Sequence, residues 1–402
     1  MTRSRGFFGG VIILYFIIAL EVLIMISPFA AFFYAAFNPV LLFFAQWRAT
    51  SWLAAFFLPH MVLPPGLFLQ TVRVAGSVLF VGGAVIFFVC AGQVYLHKFF
   101  RRGPALGGLY RWIRHPQYVA LGATGLGLAI LWPRFLTIVL WVVMVGLYYL
   151  LARDEERRMV NQFGDRYREY MSRTGMFLPR SLERAADRLP FQERPVLRSL
   201  LGFVLLVVVA VGGAFALRAY TIARLPLWSE GQITAMAILP GDSTMLEHRM
   251  ADVLELPAVK SRLDQASGLI LVYLVPPQYV MQGMIADTGP QWRLYEHHQT
   301  LAMIADWIFH PFRHLQGGHM MMHHDTGGAS ATSSAPGGMV RRLIFLRLDS
   351  RHPASTRTLI FGITTTRVPQ FFADVDIHNL IVLDIHDLGP GTGWGHVPTP
   401  MF

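Results

Sequence analysis

The run Gly108-Leu109-Tyr110-Arg111-Trp112-Ile113-Arg114-His115-Pro116-Gln117-Tyr118 sets a guanidinium, an imidazole and a phenol within five positions, and 37 residues after Tyr118 come two adjacent carboxylates, Glu155 and Glu156. A carboxylate can pair with an amino group or accept from neighbouring hydroxyls. Imidazole and phenol can donate to a ligand carboxylate or flank a flat ring, and Arg114 or Arg153 can hold anionic groups by bidentate hydrogen bonds. Such a set suits a ligand carrying both signs of charge. A second cluster is of another kind: residues 310–325 hold five histidines (His310, His314, His319, His323 and His324) and the methionines Met320, Met321 and Met322. Imidazole with thioether suits copper, and imidazole alone also suits zinc or nickel.

Each cluster has a plainer explanation. Basic residues beside a membrane span commonly act as topological anchors, and Asp154-Glu155-Glu156 before Arg157-Arg158 could be a solvated helix face with local ion pairs. A histidine-rich loop can bind metal adventitiously or pack its imidazoles against a partner. Gln93 and His97, four apart on one helix face, could line a pocket or simply mark a helix end. Beyond residue 240, His297, His298, His352, His378, His386 and His396 are too scattered to assign. No phosphate loop, Ser-His-Asp arrangement or nucleotide-binding glycine pattern stands out.

The elements that must position these residues follow from hydropathy. The 402-residue chain is 54% hydrophobic and 14% charged, too apolar for a soluble enzyme of this size, and its apolar residues are bunched in the first half. Helices are expected at about 7–26, 71–96, 117–132, 134–151 and 199–217. Pro133 makes the middle pair a tight hairpin. That hairpin would return Arg114, His115, Tyr118, Glu155 and Glu156 to one membrane face. Region 28–68, broken by Pro28, Pro39, Pro59, Pro64 and Pro65, fits one re-entrant excursion or two short crossings. The N-terminal apolar run lacks a clear small-residue cleavage site and is expected to remain.

Charge sets the orientation. Residues 97–116 carry five basic and no acidic side chains, and 153–198 carry eleven arginines against eight acids, so both loops are assigned to the cytoplasm. The span at 199–217 then carries the rest of the chain outward, where twelve basic groups face fifteen acidic ones over 219–402. The net charge of +10 thus reports topology, and no nucleic-acid partner is expected. A lone cysteine, Cys90, excludes an intrachain disulfide and a thiolate metal cluster. Arginine outnumbers lysine 32 to 2, which suggests a high-GC bacterial genome, and so a multi-pass protein of a bacterial inner membrane with a periplasmic C-terminal domain.

The order of these motifs, Arg-His-Pro-x-Tyr before a helical hairpin, Glu-Glu after it, then Phe163-Gly164-Asp165-Arg166-Tyr167-Arg168-Glu169-Tyr170, resembles the isoprenylcysteine carboxyl methyltransferase and phospholipid methyltransferase superfamily of membrane enzymes over roughly residues 70 to 180. The resemblance implies S-adenosylmethionine as cofactor. It implies cofactor-binding roles for His115, Tyr118, Glu155 and Glu156, with Arg114 and Arg153 as candidate catalytic residues. Relatives methylate prenylated cysteine carboxylates, phospholipid amines or small thiols, and helices rich in Phe and Leu around the site favour a lipophilic acceptor entering from the bilayer.

The expected architecture is a polytopic α-helical membrane bundle with a helical hairpin, fused to a soluble α+β C-terminal domain. Its parts are a methyltransferase-like domain over 1–180, a cytoplasmic linker over 181–198, a further transmembrane helix at 199–218, and an extra-cytoplasmic domain over 219–402. In the last, Thr244–Leu254 and Ala258–Ala266 read as helices, and Gly268–Val275, Leu343–Leu348 and Thr358–Thr365 as β-rich runs. A histidine- and methionine-rich loop spans 310–340, ending in the low-complexity run 325–338. Two functions fit: a membrane methyltransferase, or a non-catalytic scaffold or accessory subunit of a membrane complex whose C-terminal half docks a partner or handles copper or zinc.

Overall fold

A computed structural model describes residues 19–20, 40–59, 66–100, 103–186, 195–277, 279, 285–286, 288, 339–349, 357–363 and 365–389. The chain divides into two compact units, one comprising residues 1–36 and 71–216 and the other 37–70 and 217–402.

The first unit is helical. Its long elements are α3 (Leu67–Phe99) from Thr71 onward, α4 (Pro116–Leu131), α5 (Phe135–Phe163) and α8 (Pro195–Arg224) as far as Ala216. Among the described residues, three helices are long and apolar enough to cross a membrane: α3, α5 and α8. Helix α4 is a shorter apolar helix of 16 residues. Pro116 occupies its first turn, where the missing N–H is no loss. Trp132 N closes its last turn on Leu128 O at 2.8 Å, and α5 starts three residues later, giving the expected hairpin around Pro133. The expected segment at 7–26 lies outside the described residues except for Ala19 and Leu20.

Close backbone approach joins α3 to α4. A Cβ on Gly127 would lie 2.3 Å from Phe80 N and 2.6 Å from Gly76 O, and one on Gly83 would lie 2.6 Å from Thr124 Oγ1. Small residues at helix contacts permit such approach in lipid, where packing rather than water exclusion drives association. Helix α8 runs antiparallel to α5. Tyr149 Oη and Ser199 Oγ are 2.8 Å apart, Phe203 covers Gly146, and the rings of Phe135 and Phe215 are 4.4 Å apart. After α5 the chain turns sharply at Gly164, whose φ of 58° and ψ of −132° suit a residue without Cβ, directly into α6 (Asp165–Arg173). Helix α7 (Arg180–Ala186) begins the segment expected as a surface linker.

The second unit contains a six-stranded sheet in sequential order: β1 (Leu227–Glu230), β2 (Ile233–Ala237), β3 (Ile270–Val275), β4 (Val340–Asp349), β5 (Thr366–Asp376) and β6 (Ile381–Asp387). Only β2 and β3 pair parallel, because α9 (Ser243–Leu254) and α10 (Pro257–Leu263) provide the crossover between them. Those helices bury Leu246, Met250, Val253 and Val259 with Ala235, Val272, Leu274, Phe345 and Phe371. All six residues of β3 are buried, as expected of a central strand covered on both faces.

One feature departs from the sequence reading. The β-rich run 358–365 contains no strand among its described residues. One helical turn, α11 (Arg357–Ile360), precedes a bend, and β5 begins at Thr366. One tertiary and one local bond override the β-branched composition: Arg357 donates to Leu225 O at 2.9 Å, and Thr365 Oγ1 closes the turn by donating to Leu359 O at 2.7 Å. In region 28–68 the described residues hold α1 (Val40–Ala45), α2 (Ser51–Ala54) and the start of α3, and residues 28–39 and 60–65 of the expected excursion or crossings lie outside the described residues. Residues 37–70 group with the C-terminal half instead of with the helical unit. Buried Arg218, on α8, donates to Phe56 O and, at 2.6 Å, to Phe361 O, so one guanidinium ties three distant segments of this unit together.

Candidate active site

The site is built where the loop before α4 meets the end of α5. Gly108 opens a short 3-10 turn at φ 60° and Gln93 donates to Gly107 O at 3.1 Å, so Gln93 fixes this loop rather than facing a ligand. Buried Tyr110 donates its hydroxyl to Gln117 Oε1 at 3.1 Å, and its carbonyl accepts from Tyr170 Oη at 2.6 Å. Burial pushes the Tyr170 phenol up to about 12, so it remains a neutral donor at physiological pH. The two tyrosines of the Tyr-x-x-Tyr run on α6 thus stand behind the loop: Tyr167 is buried and Tyr170 is bonded to it.

Residues 112–115 then pair with the chain beyond α6 as a parallel bridge between Ile113 and Gly175. Arg114 N donates to Gly175 O at 2.8 Å and His115 N to Met176 O at 3.1 Å. Held this way, Arg114 sends Nε to Glu156 Oε1 at 2.5 Å, and its Nη1 donates to the carbonyls of Thr174 and, at 3.2 Å, Met171. Both partners of the ion pair are under 10% exposed. Removing one member of such a buried pair costs about 3–5 kcal/mol, because the other charge is left uncompensated.

His115 is 3% exposed and lies between the two glutamates: Nδ1 is 3.3 Å from Glu155 Oε2 and Nε2 is 3.3 Å from Glu156 Oε1. Neither contact has the alignment of a hydrogen bond, so both buried ring nitrogens retain unspent polar capacity. Burial works against the imidazolium, but the two carboxylates outweigh it and raise the His115 pKa above the ordinary histidine value. Tyr118 donates to Glu155 Oε1 and stacks on Tyr148 at 4.9 Å between ring centroids. The His115 ring lies 5.7 Å from that of Tyr118, so imidazole and phenols form a continuous flat-faced wall. Glu155 is 34% exposed and is the open side of the cluster.

Five sequence-selected residues, Arg114, His115, Tyr118, Glu155 and Glu156, are therefore brought together. Arg153 is not: it is exposed, with its guanidinium 5.9 Å from the Tyr149 ring centroid. His310, His314, His319, His323 and His324 lie outside the described residues. Among the described residues no group of three His, Cys, Asp or Glu side chains could hold a metal ion. Sequence reasoning missed Tyr148 and the chain from Thr174 to Phe177. Tyr148 is one of many aromatics on an apolar helix, and residues 174–177 contribute mainly backbone, which side-chain chemistry does not reveal.

Residues 66–166 match the model of the phospholipid methyltransferase family. The chain is similar to that family over this segment. The match spans the whole path from α3 through the Arg-His-Pro-x-Tyr loop and the hairpin to the glutamate pair, and it bears out the resemblance read from the motifs. The family is one of methyltransferases, and the similarity falls on a part of the chain that holds helices long and apolar enough to cross a membrane. No curated protein and no solved structure matches the chain.

Proposed function

We propose that the protein is an integral-membrane, S-adenosylmethionine-dependent methyltransferase acting on a lipophilic acceptor or a small thiol, amine or carboxylate. The observation that carries this reading is the convergence of Arg114, His115, Tyr118, Glu155 and Glu156 from two elements 37 residues apart, inside a segment of a methyltransferase family. The cofactor, when bound, supplies an electrophilic methyl on a sulfonium, which passes to the acceptor nucleophile and leaves a neutral thioether. Little acid–base work is then required of the protein, and positioning supplies most of the rate. Half-exposed Glu155 has the charge to take the cofactor's amino group or ribose hydroxyls. His115, with both buried nitrogens outside hydrogen-bond geometry, can donate to its carboxylate, and the Tyr118–Tyr148 wall offers a face for the adenine. Arg114 acts from behind through Glu156.

The test is calorimetric titration of the detergent-purified protein with S-adenosylmethionine. Loss of one charge-assisted hydrogen bond costs about 1.5–3 kcal/mol, so Glu155→Ala and His115→Ala should each weaken binding by about tenfold or more. Unchanged affinity in both would remove the site.

One observation favours the rival reading of a non-catalytic scaffold. Arg114 with Glu156 and Tyr118 with Glu155 already satisfy one another, as a structural core would. No binding by the parent protein would select that rival. For either reading the positive-inside rule supports a bacterial inner-membrane protein with its C-terminal domain in the periplasm. Copper or zinc binding by residues 310–325 rests on ligand type alone.

A further inference from the structure

We infer that Glu183 is a positioning residue for the Arg114–His115 pair, its carboxylate holding residues 174–178 as a strap against the backbone that presents both side chains. The inference rests on the reading that this pair belongs to a ligand site. It concerns residues beyond 166, where the family match ends.

The strap is neither helix nor strand of its own, yet its carbonyls carry the site. Thr174 O, together with Met171 O at the end of α6, takes the Arg114 guanidinium, Gly175 O takes the Arg114 amide and Met176 O takes the His115 amide. Side-chain direction at 114 and 115 therefore depends on where residues 174–176 lie. What fixes them is α7. Glu183 Oε1 accepts from Met176 N at 2.6 Å and from Phe177 N at 3.3 Å, so two successive amides converge on one carboxylate oxygen. Arg180 stands 3.6 Å from the other oxygen.

Space confirms the grip. A Cβ on Gly175 would lie 1.8 Å from Leu178 O and 2.8 Å from Glu183 Cδ, so the strap is pressed onto the carboxylate with no room for a side chain. The next ring along, Phe177, lies 6.0 Å from His115 and 6.5 Å from Tyr149, which makes the strap one wall of the imidazole's surroundings. The titratable and charged groups facing His115 come from the other walls: Glu155 and Glu156 on α5, Tyr118 on α4, and Arg114 beside it, with Tyr167 and Tyr170 of α6 behind the Arg114–Glu156 pair. Displacing the strap would move His115 away from both carboxylates without removing either.

The experiment uses the full-length protein in detergent. The His115 imidazole is titrated by nuclear magnetic resonance, its signal assigned by disappearance in His115→Gln, and S-adenosylmethionine affinity is measured on the same samples. Glu183→Gln keeps an acceptor oxygen in reach of the two amides, whereas Glu183→Asp keeps the charge but withdraws it by a methylene, and Glu183→Ala removes both. Parent and Glu183→Gln should titrate above the ordinary histidine value of about 6.5, and Glu183→Asp and Glu183→Ala should fall toward it. Cofactor affinity should drop by about tenfold or more in the latter two only. An unchanged His115 midpoint in folded Asp and Ala variants overturns the inference. So does failure of both to fold, which would make Glu183 purely structural. A parent that binds no cofactor but shows the Glu183-dependent shift defeats the ligand reading and leaves the positioning role standing.

Discussion

His115 links the chemistry of the site to the stability of the fold. Its folded-state pKa is raised above the unfolded value, so the protonated form is favoured by folding. The stabilisation is fully present below the unfolded value of about 6.5 and is lost as pH rises through the raised folded value. The thermal midpoint of the purified protein should therefore fall as pH is raised from about 6 upward through that window, with acid-range behaviour left to the carboxylates. His115→Ala should flatten this descent. A slope identical in parent and variant would show that another group is responsible. Glu156 cannot be treated as an isolated ligand in such work, because it pairs with Arg114 at 2.5 Å and stands beside His115 at once. Single substitutions there report the whole cluster.

At the scale of elements, the hairpin brings the motifs together and the α3–α4 contact seats it. Gly76, Gly83 and Gly127 leave no space for a Cβ, whereas one on Gly82 would meet nothing within 4 Å. Gly127→Leu must push the helices apart. Overpacking of this kind costs about 1–3 kcal/mol, occasionally more, so the thermal midpoint should fall by several degrees. Gly82→Leu, one position from Gly83 on the same helix, should leave it near the parent value. Equal loss in both would mean that helix propensity or lipid contact, rather than backbone approach, decides stability. Helix α8 belongs to this scale too. Its contacts with α5 through Ser199, Phe203 and Phe215 add a helix to the unit beyond the segment that matches the family.

At the scale of the whole molecule, two units share the chain, and the proposed orientation of α8 rests on the charge of the loops. Fusion of a periplasm-dependent reporter after Phe402 should give activity, and fusion after Pro190 should not. The opposite result would refute the orientation and, with it, the placement that makes copper plausible for residues 310–325. Within the second unit, Arg218 joins carbonyls at Phe56 and Phe361. Deleting residues 37–70 should therefore remove one carbonyl partner of a buried guanidinium and lower the thermal midpoint of the protein.

Hydropathy and charge were local properties, and they determined what local properties can: the apolar helices, the hairpin around Pro133, and the return of the glutamate pair toward Arg114, His115 and Tyr118. Helical periodicity likewise located α9 and α10, because each buries one face against a sheet. The rest depended on contacts between residues far apart. Thr358–Thr365 carries β-branched residues but turns, with Arg357 at its start bonded to the distant Leu225 carbonyl and Thr365 closing back on Leu359 within the run. The order of the sheet, with its single parallel pair, follows from which strands neighbour one another and has no signature in any one strand. Most of all, Glu183 fell in the expected linker, and Gly175 carried no signal of its own in the sequence. Their part in the site is played by a carboxylate on two amides and by a missing Cβ, and those contacts exist only once the chain has folded back on itself.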